Sequence, residues 1–200
     1  TDNYSQIRFS SFYMDRKNPQ LRLFVQFSPS PDSFDYATFN GTGGYNYGFE
    51  YDISINKNKN TVFYHSLSYL KTHINTFVFN NILYGNRETA HSPKLKYSFG
   101  AKYNLSYLLE GLKFNIELSY TDDFYFDEQN NHKSKDYHIL NSSILYVYTN
   151  FQISLWSKNL GKAKYYTRGY TFALDPSYIE KDWQSFGKPR TYGITLRYNI

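Results

Sequence analysis

Two stretches of the chain, residues 17–42 and 162–189, combine arginines with large aromatic side chains. An Arg guanidinium can pair at two points with an anionic group, and Tyr or Trp rings can stack on flat ligands. This is the chemistry of binding, in which no bond is broken. The candidate ligand-binding side chains are Arg22, Tyr36, Tyr165, Tyr166, Arg168, Tyr170 and Trp183. An alternative stays open, in which Tyr165 and Tyr166 belong to an aromatic girdle at a membrane interface and Arg168 is an ordinary solvated loop residue.

A metal site would require clustered carboxylates or imidazoles. The acidic residues at 122, 123, 127 and 128 are close in sequence, but their spacing does not match an EF-hand loop. The five histidines are scattered, and no pair has the helical spacing of zinc ligands. We therefore expect a solvated acidic loop, or one that contacts cations bridging surface lipids, and we predict no metal or other cofactor.

Enzymatic activity is not indicated by any motif. A nucleophile beside a base, such as Ser68 with His65, is easily found by chance in so polar a chain. Cysteine is absent, which removes thiolate catalysis and thiolate metal sites. The net charge of +5 is spread over every segment, so a nucleic-acid partner is not expected either. We predict that the protein is not an enzyme.

The elements that must position the candidate residues are β-strands. Residues 191–200 alternate strictly, with Tyr192, Ile194 and Leu196 on one face and polar residues on the other. The same alternation recurs along the chain, and we predict eight strands: 5–16, 43–56, 60–79, 93–108, 112–124, 137–149, 151–161 and 190–200. Four apolar residues, Val62, Tyr64, Ile139 and Leu145, are out of phase with their neighbours.

The composition favours a membrane-spanning β-barrel. Aromatic residues make up 21% of the chain, with 23 Tyr and 17 Phe, while the mean hydropathy is only -0.65. A barrel places its apolar residues at every second position, so its average hydropathy is that of a soluble protein. We predict one all-β domain over residues 1–200, an antiparallel transmembrane β-barrel segment of about eight strands.

The connections between the predicted strands fall into two length classes. Short turns are predicted near 56–60, 110–111 and 149–150, and long loops at 17–42, 80–92, 125–136 and 162–189. Bacterial outer-membrane barrels have short periplasmic turns and long outer loops. This alternation places both ends of the chain on the periplasmic side, and we expect a removed or upstream signal peptide, because Thr1–Tyr4 does not resemble one. The alternation of connection lengths, taken by itself, is also compatible with a soluble β-sandwich.

Several ordered motifs resemble the C-terminal barrel of TonB-dependent receptors. They are Asn159-Leu160 with Tyr165-Tyr166 before a long loop, and Pro189-Arg190-Thr191-Tyr192-Gly193 at the start of the last strand. The segment from Phe12 to Gln20, followed by Phe39-Asn40 and by a strand at Tyr45 to Glu50, resembles an earlier part of the same barrels. Ile200 differs from the aromatic residue that usually ends the family.

The resemblance implies an active transport receptor of a Gram-negative outer membrane, which takes up a ferric siderophore or a similarly scarce nutrient. Receptors of this kind have a 22-strand barrel with a plugged lumen, so we expect the chain to be a C-terminal fragment that lacks the plug. The implied partners are outer-membrane lipid, the ligand, and TonB through the missing N-terminal region. The alternative is a complete small barrel of about eight strands that acts as a narrow channel or a structural protein.

Overall fold

The computed structural model describes residues 5–26, 34–172 and 179–199, and these residues form an all-β fold. No described helix is long and apolar enough to cross a membrane. The strands in chain order are β1 (Ser5–Arg16), β2 (Gln20–Gln26), β3 (Phe34–Asn40), β4 (Gly44–Asn58), β5 (Thr61–Ile74), β6 (Phe77–Phe79), β7 (Ile82–Tyr84), β8 (Leu95–Asn104), β9 (Leu112–Thr121), β10 (Tyr137–Tyr148), β11 (Phe151–Lys158), β12 (Tyr166–Phe172), β13 (Lys181–Phe186) and β14 (Thr191–Tyr198).

Eight of these strands form one antiparallel sheet in the order β1-β4-β5-β8-β9-β10-β11-β14. Each strand pairs with the strand that follows it in this order, which is also chain order, so the sheet has an up-and-down arrangement. β1 and β14 are the two edges and do not pair with each other. The predicted antiparallel fold is confirmed, and the described sheet is open. A closed eight-stranded barrel would require β1 to pair with β14.

The eight predicted strands correspond one to one with the eight strands of this sheet, and the largest differences are at the ends of the third and fourth strands. The third strand was predicted to reach residue 79, but β5 ends at Ile74, because Ile74 is buried and its N–H bonds to the Arg87 carbonyl outside the sheet. The fourth was predicted to reach 108, but β8 ends at Asn104. The Asn104 side chain accepts hydrogen bonds from the Ser106 N–H and hydroxyl, which turns the chain.

The register gives the sheet one apolar face and one polar face. Aromatic pairs such as Tyr97 with Tyr120 (5.0 Å) and Phe151 with Tyr198 (4.7 Å) lie on the apolar face. The out-of-phase residues noted in the sequence all fall on the polar face. One of them, Tyr64, points its hydroxyl at Asn115 and Glu117, at 3.1 and 3.2 Å.

Long and short connections lie at opposite ends of the sheet, as the sequence predicted. We name the long connections L1 (17–43), L2 (75–94), L3 (122–136) and L4 (159–190), and their shared end the loop rim. L1, L2 and L4 each contain a hairpin, formed by β2 with β3, β6 with β7, and β12 with β13. These hairpins were not predicted, because the sequence reading assigned long connections to loops.

The buried hydrophobic core of the described residues lies in the loops. Leu21 and Leu23 of β2 pack with Ile74 and Phe77, and Phe39 packs against this group. The sheet contributes little because a one-layer sheet exposes both of its faces. L1 and L2 are consequently packed together over the loop rim, which gives the loops a fixed shape.

Candidate ligand-binding cleft

A cleft of about 910 Å³ opens at the loop rim, on the polar side of the sheet. Its walls come from all four long loops, and its base from the ends of β1, β4 and β5. The base residues all belong to the polar face in the strand register: Arg16, Asn46, Leu70 and Thr72. The four loops and the sheet thus converge on one concavity, the usual form of a small-molecule site.

Four of the seven predicted ligand-binding residues line this cleft: Arg22, Tyr36, Arg168 and Tyr170. The other three lie outside its lining. Tyr165 stacks on Tyr137 at 4.4 Å, Tyr166 packs on Phe186 at 4.8 Å, and Trp183 pairs with Tyr170 in the β12–β13 register. The ligand-binding roles of all seven remain predictions.

The L1 wall of the cleft is built around Tyr36. The Arg22 guanidinium lies 4.1 Å from the centre of the Tyr36 ring, and the Phe24 ring meets the same ring edge-on at 6.0 Å. A guanidinium held over an aromatic face keeps its N–H donors directed outward along its plane. The wall therefore offers a cation whose position is fixed before a ligand arrives.

The opposite wall joins L2, L3 and L4. Phe126 packs so closely over Gly169 that a Cβ there would collide with the ring, and His91 stacks near Phe124 at 5.4 Å. Burial and the neighbouring charge of Arg168 lower the pKa of His91, despite opposing contacts with Phe126 and Asp127. The imidazole is therefore neutral at physiological pH, and Arg168 is the cation of this wall.

L3 is clamped to L1 by one side chain. Gln129 accepts a hydrogen bond from the Phe24 N–H at 2.6 Å and donates one to the Phe24 carbonyl at 3.0 Å. Its amide thus pairs with β2 as a neighbouring strand would. Sequence reasoning missed Gln129 and Phe24 as cleft residues, because this contact spans 105 positions and has no local pattern.

L2 is anchored by two charged residues. The Arg87 guanidinium donates to the carbonyls of Asp127 and Asn130 at 2.5 and 2.6 Å and lies 4.2 Å from the Tyr125 ring. Burial acts to raise the pKa of Glu88, but hydrogen bonds from Lys71 and Lys94 outweigh burial and lower this pKa to about 2. Glu88 is therefore ionised at any physiological pH.

The predicted acidic loop divides its carboxylates among separate contacts. Asp122 accepts from the Asp123 N–H, Asp123 pairs with Lys133 at 2.9 Å, and Asp127 caps the backbone N–H groups of residues 129 and 130. Within the described residues, no three His, Asp or Glu side chains lie close enough together to hold a metal ion. These carboxylates shape L3 and offer no shared coordination sphere.

Glu128 is the one carboxylate of the cleft lining whose surroundings disfavour its charged form. Its Oε1 accepts from the Ala90 N–H at 2.9 Å, while Oε2 is buried without a hydrogen-bond partner among the described residues. Burial raises the pKa of this carboxyl, against the Ala90 bond and the charge of Arg87. With Asp127 engaged by L2 and L3, the three arginines of the lining, Arg16, Arg22 and Arg168, outnumber the one remaining carboxylate, Glu128.

We expect Glu128→Gln to tighten the contact between L2 and L3 at neutral pH. The folded-state pKa is raised, so stability falls as pH rises from the ordinary Glu value through the raised one. Gln does not titrate and keeps an oxygen for Ala90. Hydrogen exchange of the Ala90 amide should be slower in the variant at neutral pH and equal to wild type below the ordinary Glu pKa. Equal exchange at both pH values would contradict a raised pKa for the buried Glu128 carboxyl.

Comparisons with known proteins agree with this architecture. Residues 1–160 match the family model of the TonB-dependent receptor-like β-barrel. The siderophore receptor PiuA from Acinetobacter baumannii superposes with a TM-score of 0.71 at 17% identity, covering 99% of this chain and 26% of the receptor. The ferric yersiniabactin uptake receptor FyuA from Yersinia pestis gives 0.74 at 17% identity, with 100% and 28% covered.

A protein with a different cargo has the same fold. The copper transporter OprC gives a TM-score of 0.72 at 15% identity, covering 99% of this chain and 29% of OprC. The chain therefore spans less than a third of the length of these solved proteins. At such identities the superpositions establish the fold, and the family match establishes the relationship. The chain belongs to the TonB-dependent receptor family and forms a sector of its β-barrel.

Proposed function

We propose that this chain supplies part of the barrel and outer binding surface of an active transport receptor in the outer membrane of a Gram-negative bacterium. The apolar face of the sheet contacts lipid, and the polar face turns towards the barrel lumen. The cleft at the loop rim then faces the medium and receives the ligand. Release inward depends on TonB acting through the rest of the receptor.

The observation that carries this proposal is the convergence of L1–L4 on a single cleft with fixed cations and aromatic rings. Arg22 lies over Tyr36, and Arg168 stands opposite on the L4 wall. Such a surface suits an anionic ligand with flat aromatic groups, which is the chemistry of many ferric chelates. A ferric siderophore is therefore the proposed cargo. Because a copper transporter has the same fold, the metal that the receptor takes up must be tested directly.

The test is binding to the full receptor that carries this chain, purified in detergent. The probes are an anionic ferric catecholate complex and a neutral ferric hydroxamate complex, followed by tryptophan fluorescence. We expect Arg22→Ala with Arg168→Ala to weaken catecholate binding at least tenfold, since each charge-assisted contact contributes roughly 1.5–3 kcal/mol. Neutral hydroxamate binding should change much less.

Arg197→Ala is the matched control, because Arg197 is exposed on the polar face at the end of β14 far from the loop rim. Cells expressing this variant should take up radiolabelled iron as wild type does, whereas the double variant should not. Unchanged catecholate binding in the double variant would refute the cleft as the binding surface. Uptake of copper in place of iron would support the proposed transport function and refute the ferric siderophore as the cargo.

A further inference from the structure

A second concavity of about 540 Å³ lies on the apolar face, across β9, β10, β11 and β14. It exists because Ser142 and Ser157, which pair directly between β10 and β11, are small residues within a row of large ones. Its walls are large apolar side chains of the same face, Phe114, Ile144, Leu155, Tyr192 and Ile194, together with Leu160 beyond the end of β11. We call this concavity the serine groove. It faces the membrane if the apolar face does.

Ser157 forms part of the floor of the serine groove. The residue is only 8% exposed, and its Oγ is covered and has no hydrogen-bond partner among the described residues. The groove therefore presents no accessible hydroxyl at Ser157. Its floor is lower than the large apolar side chains around it, so an apolar chain can lie there.

Cations stand directly above the groove, at the base of L4. The segments 161–164 and 187–190 contain four basic residues and no carboxylate. Asn159 joins the two segments, because its side chain donates to the carbonyls of Ala163 and Lys188 at 2.9 and 3.2 Å. The Arg190 guanidinium lies 5.3 Å from the ring centre of Tyr192, a wall residue of the groove.

We propose that the serine groove binds one acyl chain of an anionic, phosphorylated membrane lipid. The acyl chain lies over Ser157, between Tyr192 and Ile144, and the phosphate of the lipid pairs with Arg190 and Lys188. The site is separate from the ligand cleft, which lies on the other face of the sheet. It depends on the membrane orientation of the apolar face and not on the identity of the cargo.

The test uses the full receptor in detergent, with lipid binding followed by native mass spectrometry. Dioleoyl phosphatidylglycerol and dioleoyl phosphatidylcholine share their acyl chains and differ in net charge. Wild type should prefer phosphatidylglycerol. Lys188→Gln with Arg190→Gln should lower its affinity about 25-fold and leave phosphatidylcholine nearly unchanged, since each basic residue contributes about fivefold.

Filling the groove with Ser142→Leu and Ser157→Leu should abolish specific binding of both lipids. Ser11→Leu is the control for added bulk, because Ser11 lies on the apolar face of β1, opposite Phe49. Lys57→Gln with Lys59→Gln is the charge control at the opposite end of the sheet. The proposal fails if the filled groove retains wild-type lipid affinity, or if wild type does not distinguish the lipids. Ferric catecholate binding, measured on the same samples, tests the cleft independently.

Discussion

Replacing Arg87 with alanine is expected to release L3 from L2 and to weaken ligand binding in the cleft. The side chain is 12% exposed and donates to the carbonyls of Asp127 and Asn130 and to the Asn131 side chain. Its removal leaves two partly buried carbonyl oxygens without a donor. Hydrogen bonds to a charged group contribute about 1.5–3 kcal/mol each and are not additive, so we expect a loss of about 3 kcal/mol.

Hydrogen exchange in the full receptor measures this loss as the free energy of local opening. The amides of Phe126 and Ser134 report on it, because both are bonded within L3. Arg87→Lys should recover only part of the protection, since an ammonium cannot reproduce the planar fork. Arg197→Ala should leave L3 exchange unchanged. Full protection of L3 in Arg87→Ala would show that Gln129 and the aromatic contacts hold the loop alone.

The sheet could be predicted from the sequence because its physical cause is local. Side-chain alternation depends only on neighbouring residues, so all eight strands of the sheet were located, and β1 was placed at its observed bounds. Even the breaks in phase were informative. Tyr64 and Ile139 are apolar residues of the polar face, and Tyr64 uses its hydroxyl there to bond to two polar side chains.

The loops could not be predicted in the same way, because their structure depends on contacts between distant segments. The β2–β3 hairpin is held by Leu21 and Leu23 packing on Ile74 and Phe77, and by Gln129 of L3. The sequence therefore identified residue types suited to ligand binding, but not which of them meet. Arg22 and Arg168 line the cleft together, whereas Trp183 does not, and only the fold distinguishes them.

Replacing Asn159 with aspartate is expected to loosen the base of L4. Asn159 is 2% exposed and has a left-handed backbone, with φ of 51°. Its amide group donates to the carbonyls of Ala163 and Lys188, and its Oδ1 accepts from the Ala163 N–H. Aspartate tolerates the same backbone and keeps the acceptor but loses both donors. We expect a cost of about 2 kcal/mol, measured as faster exchange of the Ala163 and Gly187 amides.

Two further substitutions separate the effect of the Asn159 side-chain hydrogen bonds from that of its backbone conformation. Asn159→Gly keeps the backbone conformation and removes every side-chain bond without placing a carboxylate beside the two carbonyl oxygens, so it should also open L4. Asn81→Asp is the control, because Asn81 also has a left-handed backbone, with φ of 61°, but is exposed at the β6–β7 turn. If Asn159→Gly exchanges as wild type does, the backbone conformation alone explains the asparagine. If both Asn159 variants open L4, the Asn-Leu motif at the end of β11 is a clamp that joins the two ends of the loop.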